Sequence, residues 1–116
     1  DDGNIVNPEG KNGIKFETFV FDALSLAEKS VTLEVLRQDE FSPVKNAEGV
    51  DSPATTRRDL TALALRILEG AGATIERNQG GEFDGVVELS PLSALDASDL
   101  EGKVSSETVV RDGFSL

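Results

Sequence analysis

The first third of the chain carries two hydrophobic periodicities in succession. Phe16, Phe19, Val20, Ala23, Leu24 and Ala27 fall at i, i+3, i+4, i+7, i+8 and i+11. At about 100° per residue they share one stripe, which predicts a helix over Lys15–Lys29. Glu17, Asp22, Ser25 and Glu28 lie off that stripe, and Leu26 sits at its edge. Phe21 is the misfit: its azimuth is roughly 140° from that of Phe16. A large ring on that side needs a second partner or a ligand. Val31, Leu33 and Val35 then alternate with Thr32, Glu34 and Leu36, which predicts a strand over Val31–Arg37. Gln38–Asp51 reads as a loop. Its stiff point is Ser42-Pro43, because proline fixes φ and biases the preceding residue toward extended backbone.

A second helix is predicted over Ser52–Glu69. Ser52 is a good N-cap and Pro53 suits the first helical position. Leu60, Leu63, Ala64, Ile67 and Leu68 form its apolar stripe, and Gly70 is the expected left-handed stop. Beyond it, Gly72–Arg77 leads into a short strand. Asn78-Gln79-Gly80-Gly81 reads as a turn, so a hairpin with Glu82–Leu89 is expected. Ser90-Pro91-Leu92 ends that second strand, an acidic turn-like stretch follows, and Lys103–Arg111 is the expected final strand. At the start, Asn7-Pro8-Glu9-Gly10 signals a turn, and Asp2-Gly3-Asn4 has the composition of a small hairpin. The chain holds no internal repeat.

Composition narrows the chemistry. The 116 residues suffice for one ordinary domain, and 38% apolar with 28% charged residues is a globular balance. With neither Cys nor His, the chain has no disulfide, thiolate nucleophile, histidine base or His-ligated metal. Chemistry is left to carboxylates, lysine, arginine and backbone groups. A net charge of −11 argues against nucleic acid or an anionic membrane as partner. It leaves room for a local phosphate site, since exposed charges are screened over about 10 Å. The chain has no Met and starts at Asp1 without an apolar-cored leader, so a piece of a longer protein is expected. A cytoplasmic location is expected with it.

Lys45 is a lone cation at the end of Phe41-Ser42-Pro43-Val44: a stiffened loop of this kind can hold a cation against a phosphate, and a solvated surface lysine explains the same residue. Thr55-Thr56-Arg57-Arg58 is weaker: a helix start favours anions, but a capped surface helix explains the same residues. Asp96, Asp99 and Glu101 lack the spacing of a calcium loop and read as a solvated turn.

Several ordered motifs between Asp2 and Leu100 make the chain resemble the UDP-N-acetylhexosamine pyrophosphorylase family. They are Asn12-Gly13-Ile14-Lys15, Phe19-Val20-Phe21-Asp22, Glu34-Val35-Leu36-Arg37 and Phe41-Ser42-Pro43-Val44-Lys45-Asn46-Ala47, then Asp51-Ser52-Pro53 with Thr56-Arg57, and Leu89-Ser90-Pro91-Leu92. Past Leu100 the likeness fades. Asn46-Ala47 and the Phe-Val-Phe-Asp run look like the N-acetylhexosamine branch of the wider uridylyltransferases.

The resemblance implies an α/β to α+β fold. Residues 1–45 would end a nucleotide-diphospho-sugar-transferase-like α/β domain, and residues 46–116 would form a small, β-rich C-terminal domain with its own helix. It implies transfer of UMP from UTP to an N-acetylhexosamine 1-phosphate, with Mg²⁺ held by residues outside this chain. The N-terminal portion of the same enzyme would be the partner, and this piece would be inactive alone. Lys45 would sit on the α-phosphate side of the nucleotide. Phe19 and Phe21 would line the N-acetyl pocket, where a flat ring suits an acetyl methyl. The alternatives are a UDP-glucose or broad UDP-sugar pyrophosphorylase, and a non-catalytic protein-contact domain.

Overall fold

The structure, a computed structural model, describes residues 3, 5 and 7–116. The hairpin expected at Asp2-Gly3-Asn4 rests on residues outside the described ones. The chain forms two compact units, Asp1–Glu34 and Val35–Leu116.

In the first unit a 3₁₀ helix spans Val20–Leu26, with Phe19 as an extended N-cap. The α-helix expected over Lys15–Lys29 is thereby shortened and tightened. Its stripe gains no burial: Phe16 is 91% exposed, and Val20 and Leu24 are also exposed. Most helical stability in proteins comes from packing an apolar face, and within the described residues of this unit that face meets no partner surface. The strand expected over Val31–Arg37 does not form either. Val31 and Leu33 are exposed, and an unpaired strand has no ladder to hold it.

The second unit is organised around one long helix. A short helix, α1, spans Arg37–Glu40, and α2 spans Pro53–Gly70. The start of α2 follows from the sequence: Ser52 and Thr55 form a reciprocal capping box, and Pro53 opens the helix. Its end differs from expectation. Gly70 is still helical, and the left-handed residue is Gly72, at φ 95°. The Ala73 N–H bonds to the Leu68 carbonyl and the Gly72 N–H to that of Glu69, which is a Schellman ending. Ala73 and Leu68 are both buried, so the stop is also a packing contact.

Thr61, Ala64, Leu65 and Leu68 are the buried residues of α2. The inward face is therefore turned about one residue from the expected stripe. Leu60 is 57% exposed, while Leu63 and Ile67 are half-buried. These three line a groove of about 540 Å³ together with Val86, Leu89 and Leu95. Leu68 belongs to one buried cluster with Leu100, Val87, Val104 and Val110.

Among the described residues, four two-residue strands cover the helix: β1 (Thr74–Ile75), β2 (Val87–Glu88), β3 (Val109–Val110) and β4 (Phe114–Ser115). The expected hairpin between 72–77 and 82–89 is replaced by parallel pairing with the end of the chain. Thr74 and Ile75 align with Val109 and Val110, and Val87 and Glu88 with Phe114 and Ser115. The Asn78 turn forms as expected, since Asn78 Oδ1 accepts from the Gly80 and Glu82 amides. The expected final strand, Lys103–Arg111, is confined to β3. Gly85 has a reason of its own: its φ is 139°, and a Cβ there would collide with the Asp112 carboxylate. Asp112 Oδ1 accepts from the Val86 amide at 2.9 Å just before β2.

Candidate functional site

The lysine loop lies in the second unit, and its upstream half is anchored on one helix. Ser42 Oγ donates to Asp59 Oδ2 at 2.8 Å. Thr56 Oγ1 donates to the Pro43 carbonyl at 3.3 Å and lies 3.4 Å from that of Ser42. Just before the loop, Arg66 Nη2 donates to the Gln38 carbonyl at 3.2 Å and pairs with Asp39 Oδ1 at 2.6 Å. Thr56, Asp59 and Arg66 fall at i, i+3 and i+10, one polar face of α2. Arg37 also lies 4.2 Å from the Phe41 ring centroid, a cation–π contact that leads into the loop.

Downstream the loop closes on itself. The Lys45 and Asn46 amides both donate to the Asp51 carbonyl, at 2.7 and 3.0 Å. The Asn46 side chain donates to the Val50 carbonyl, and Ser52 Oγ to that of Gly49. Asp51 adopts φ 52°, a left-handed conformation that aspartate tolerates better than most residues. Lys45 itself is exposed, and among the described residues it makes no ion pair. A fixed backbone under an exposed ammonium group suits a phosphate oxygen.

Asp59 is the residue that sequence reasoning missed. Its Oδ1 accepts from Nε and Nη2 of Arg58 while Oδ2 serves Ser42. The Ser42 hydrogen bond, followed by the bond from Arg58, holds the Asp59 carboxyl below the usual aspartate range. The polar face of the predicted helix was visible in the sequence, but its pairing with a loop 17 residues away was not.

Phe19 and Phe21 come together in the first unit. Their ring centroids are 5.0 Å apart at 54°, and each is 60% exposed. The expected contrast between a stripe residue and an off-stripe one does not hold. Phe19 is extended and the 3₁₀ helix starts at Val20, so the helical azimuths that separated the two rings do not apply. Lys45 belongs to the other unit.

The weaker candidates resolve as structure. The Thr55 amide at the start of α2 is taken by Ser52 Oγ. Asp96 and Asp99 form a capping box around a 3₁₀ turn, Ala97–Leu100. Hydrogen bonds from Ser98 lower the Asp96 carboxyl. Among the described residues no group of three or more carboxylates is arranged to hold a metal ion, and no helix is long and apolar enough to cross a membrane.

Comparison with known proteins gives the context of this loop. No family model matches the chain. It is 35% identical over 93% of its length to a probable UDP-N-acetylglucosamine pyrophosphorylase of Dictyostelium discoideum, covering 22% of that protein. It is 38% identical over 99% of its length to UDP-N-acetylhexosamine pyrophosphorylase-like protein 1 of Xenopus tropicalis, covering 25% of it. It is 38% identical over 88% of its length to the UDP-N-acetylglucosamine pyrophosphorylase of Saccharomyces cerevisiae, again covering 22%. The chain thus spans 22% to 25% of the length of these relatives. All of them bear the names of nucleotide-sugar pyrophosphorylases or proteins like them. Within that class the chain matches, over most of its own length, a C-terminal portion of the UDP-N-acetylhexosamine pyrophosphorylase family.

Proposed function

We propose that this chain is the C-terminal part of a uridylyltransferase that moves UMP from UTP to an N-acetylhexosamine 1-phosphate. The similarity over nearly the whole chain supports this reading most strongly. The tied loop that presents an exposed Lys45 agrees with it.

A phosphate oxygen of the sugar phosphate attacks the α-phosphorus of UTP. A new P–O bond forms, the bond to the bridging oxygen of the β-phosphate breaks, and pyrophosphate leaves. Negative charge spreads over the non-bridging α-phosphate oxygens, where a positioned cation stabilises the transition state. Lys45 would take that place, and the Phe19–Phe21 pair would cover the N-acetyl methyl. Mg²⁺, when bound, would neutralise phosphate charge, and its ligands would lie outside this chain. The end of the catalytic α/β domain, expected over residues 1–45, would then include the lysine loop although that loop is tied to α2 in the second unit, and the small α+β domain expected over residues 46–116 would follow it. The piece alone would be inactive, and the location cytoplasmic, where UTP is available.

The test is pyrophosphate release by the full-length protein with UTP, Mg²⁺ and N-acetylglucosamine 1-phosphate. Turnover is expected there, and Lys45→Ala should lower it by about 10²–10³, the usual loss for one transition-state donor. An unchanged rate would remove Lys45 from the reaction. Faster turnover of glucose 1-phosphate would reassign the sugar.

A further inference from the structure

We propose that Asp59 is a positioning residue for Lys45, holding the lysine loop on α2 through the Ser42 hydroxyl. The proposal rests on the reading of Lys45 as the phosphate-side cation.

Little freedom remains in the segment that carries the lysine. Ser42 is held by Asp59 at 2.8 Å, and the Lys45 amide is held by the Asp51 carbonyl at 2.7 Å. Only Pro43 and Val44 lie between these points. Proline has no free φ, and its carbonyl is already engaged by Thr56. Asp51 in turn precedes Ser52, the buried cap of the same helix. Both ends of the segment are thus referred to the first two turns of α2. Releasing Ser42 frees one end and leaves the other closed, so a partial loss is expected and not a collapse of the loop.

The anchor can be separated from its charge. Asp59→Ala removes both the acceptor and the negative charge. Asp59→Asn removes the charge and keeps an oxygen that can accept from Ser42. If Asp59 acted only through its field, the two variants would behave alike, and neutralising it would favour a phosphate nearby. If it acts by position, Asp59→Ala is impaired and Asp59→Asn recovers.

The experiment is steady-state kinetics of the full-length enzyme with UTP and N-acetylglucosamine 1-phosphate. The variants are Asp59→Ala, Asp59→Asn, Ser42→Ala and Lys45→Ala, with the double variant Asp59→Ala/Lys45→Ala. Small misplacements of a reacting group are costly, so Asp59→Ala and Ser42→Ala should each lower kcat about tenfold. KM should change little, because Lys45 is assigned to charge that develops in the transition state. Asp59→Asn should recover most of the rate. In the Lys45→Ala background, Asp59→Ala should add less than about a twofold effect, since residues acting as a unit are not additive.

Equal impairment in Asp59→Asn and Asp59→Ala would overturn the positional role. A full tenfold loss on top of Lys45→Ala would also overturn it, by showing general damage to the fold. A normal Asp59→Ala beside a crippled Lys45→Ala would sink this inference and leave the proposed function standing. A normal Lys45→Ala would sink this inference together with the reading of Lys45 as the phosphate-side cation, and no turnover by the wild type would sink the proposed function itself.

Discussion

Ser42 Oγ donates to Asp59 Oδ2 at 2.8 Å, joining the lysine loop to the second turn of α2 across 17 residues. The bond sets a pH dependence. Asp59 titrates below its ordinary value because the ionised form accepts from Ser42 and then from Arg58. A carboxyl lowered in the folded state adds stability above its unfolded pKa, about 3.9 for aspartate. That stability is lost as pH falls through the lowered folded value. Thermal melts between about pH 6 and 2.5 should therefore show a steeper acid loss in the wild type than in Asp59→Asn. Parallel curves would mean that the bond contributes nothing measurable, as partly exposed charged pairs sometimes do.

Leu68 and Leu60 should respond very differently to truncation although both belong to the stripe predicted for α2. Leu68 is fully buried and meets the strand layer, whereas Leu60 is 57% exposed. Leu68→Ala is expected to cost about 2–5 kcal/mol through reduced burial and the cavity left behind. Leu60→Ala should cost less than about 1 kcal/mol. Denaturant midpoints of the two variants decide the matter. A reversed order would place the core on the other face of the helix.

Gly85→Ala should be among the most damaging single-methyl additions. The new Cβ would meet the Asp112 carboxylate, and φ 139° is strained for any L side chain. A loss above about 2 kcal/mol is expected, measured by chemical denaturation. Gly85→Ala in an Asp112→Ala background relieves the collision but not the backbone strain, so part of the stability should return.

If Phe21 covers the N-acetyl methyl as proposed, Phe21→Gly should widen tolerance for bulkier N-acyl groups on the sugar phosphate with little loss of fold. The side chain is 60% exposed, and its aromatic contact is with Phe19. Relative kcat/KM for N-acetyl against N-propionyl substrate is the readout in the full-length enzyme. A large fall in melting temperature without a change in that ratio would make Phe21 a packing residue.

The parts of this protein legible from sequence are those decided within a few residues. Ser52, Pro53 and Thr55 set the start of α2 because a cap, a fixed φ and a returning hydroxyl act locally. The Asn78 turn forms for the same reason, as does the stiffness of Ser42-Pro43. The lack of His and Cys limited the chemistry, and the Phe41–Ala47 motif pointed to Lys45 without any knowledge of the fold.

Tertiary structure decided what depends on distant partners. Parallel pairing of β1 with β3 and of β2 with β4 joins residues 35 and 27 positions apart by the register Thr74–Val109 and Val87–Phe114. A strand pattern does not name its partner, so a local hairpin was the natural but mistaken expectation. The face of α2 that turned inward was chosen by where those strands lay, which is why Thr61 is buried and Leu60 is not. The stripe at Phe16–Ala27 had a helical period but met no surface among the described residues of its unit, and periodicity without burial did not sustain an α-helix. Asp59 shows the same division at the site. Its place on the polar face of α2 follows from sequence alone, but its hold on Ser42 exists only once the loop is folded back onto the helix.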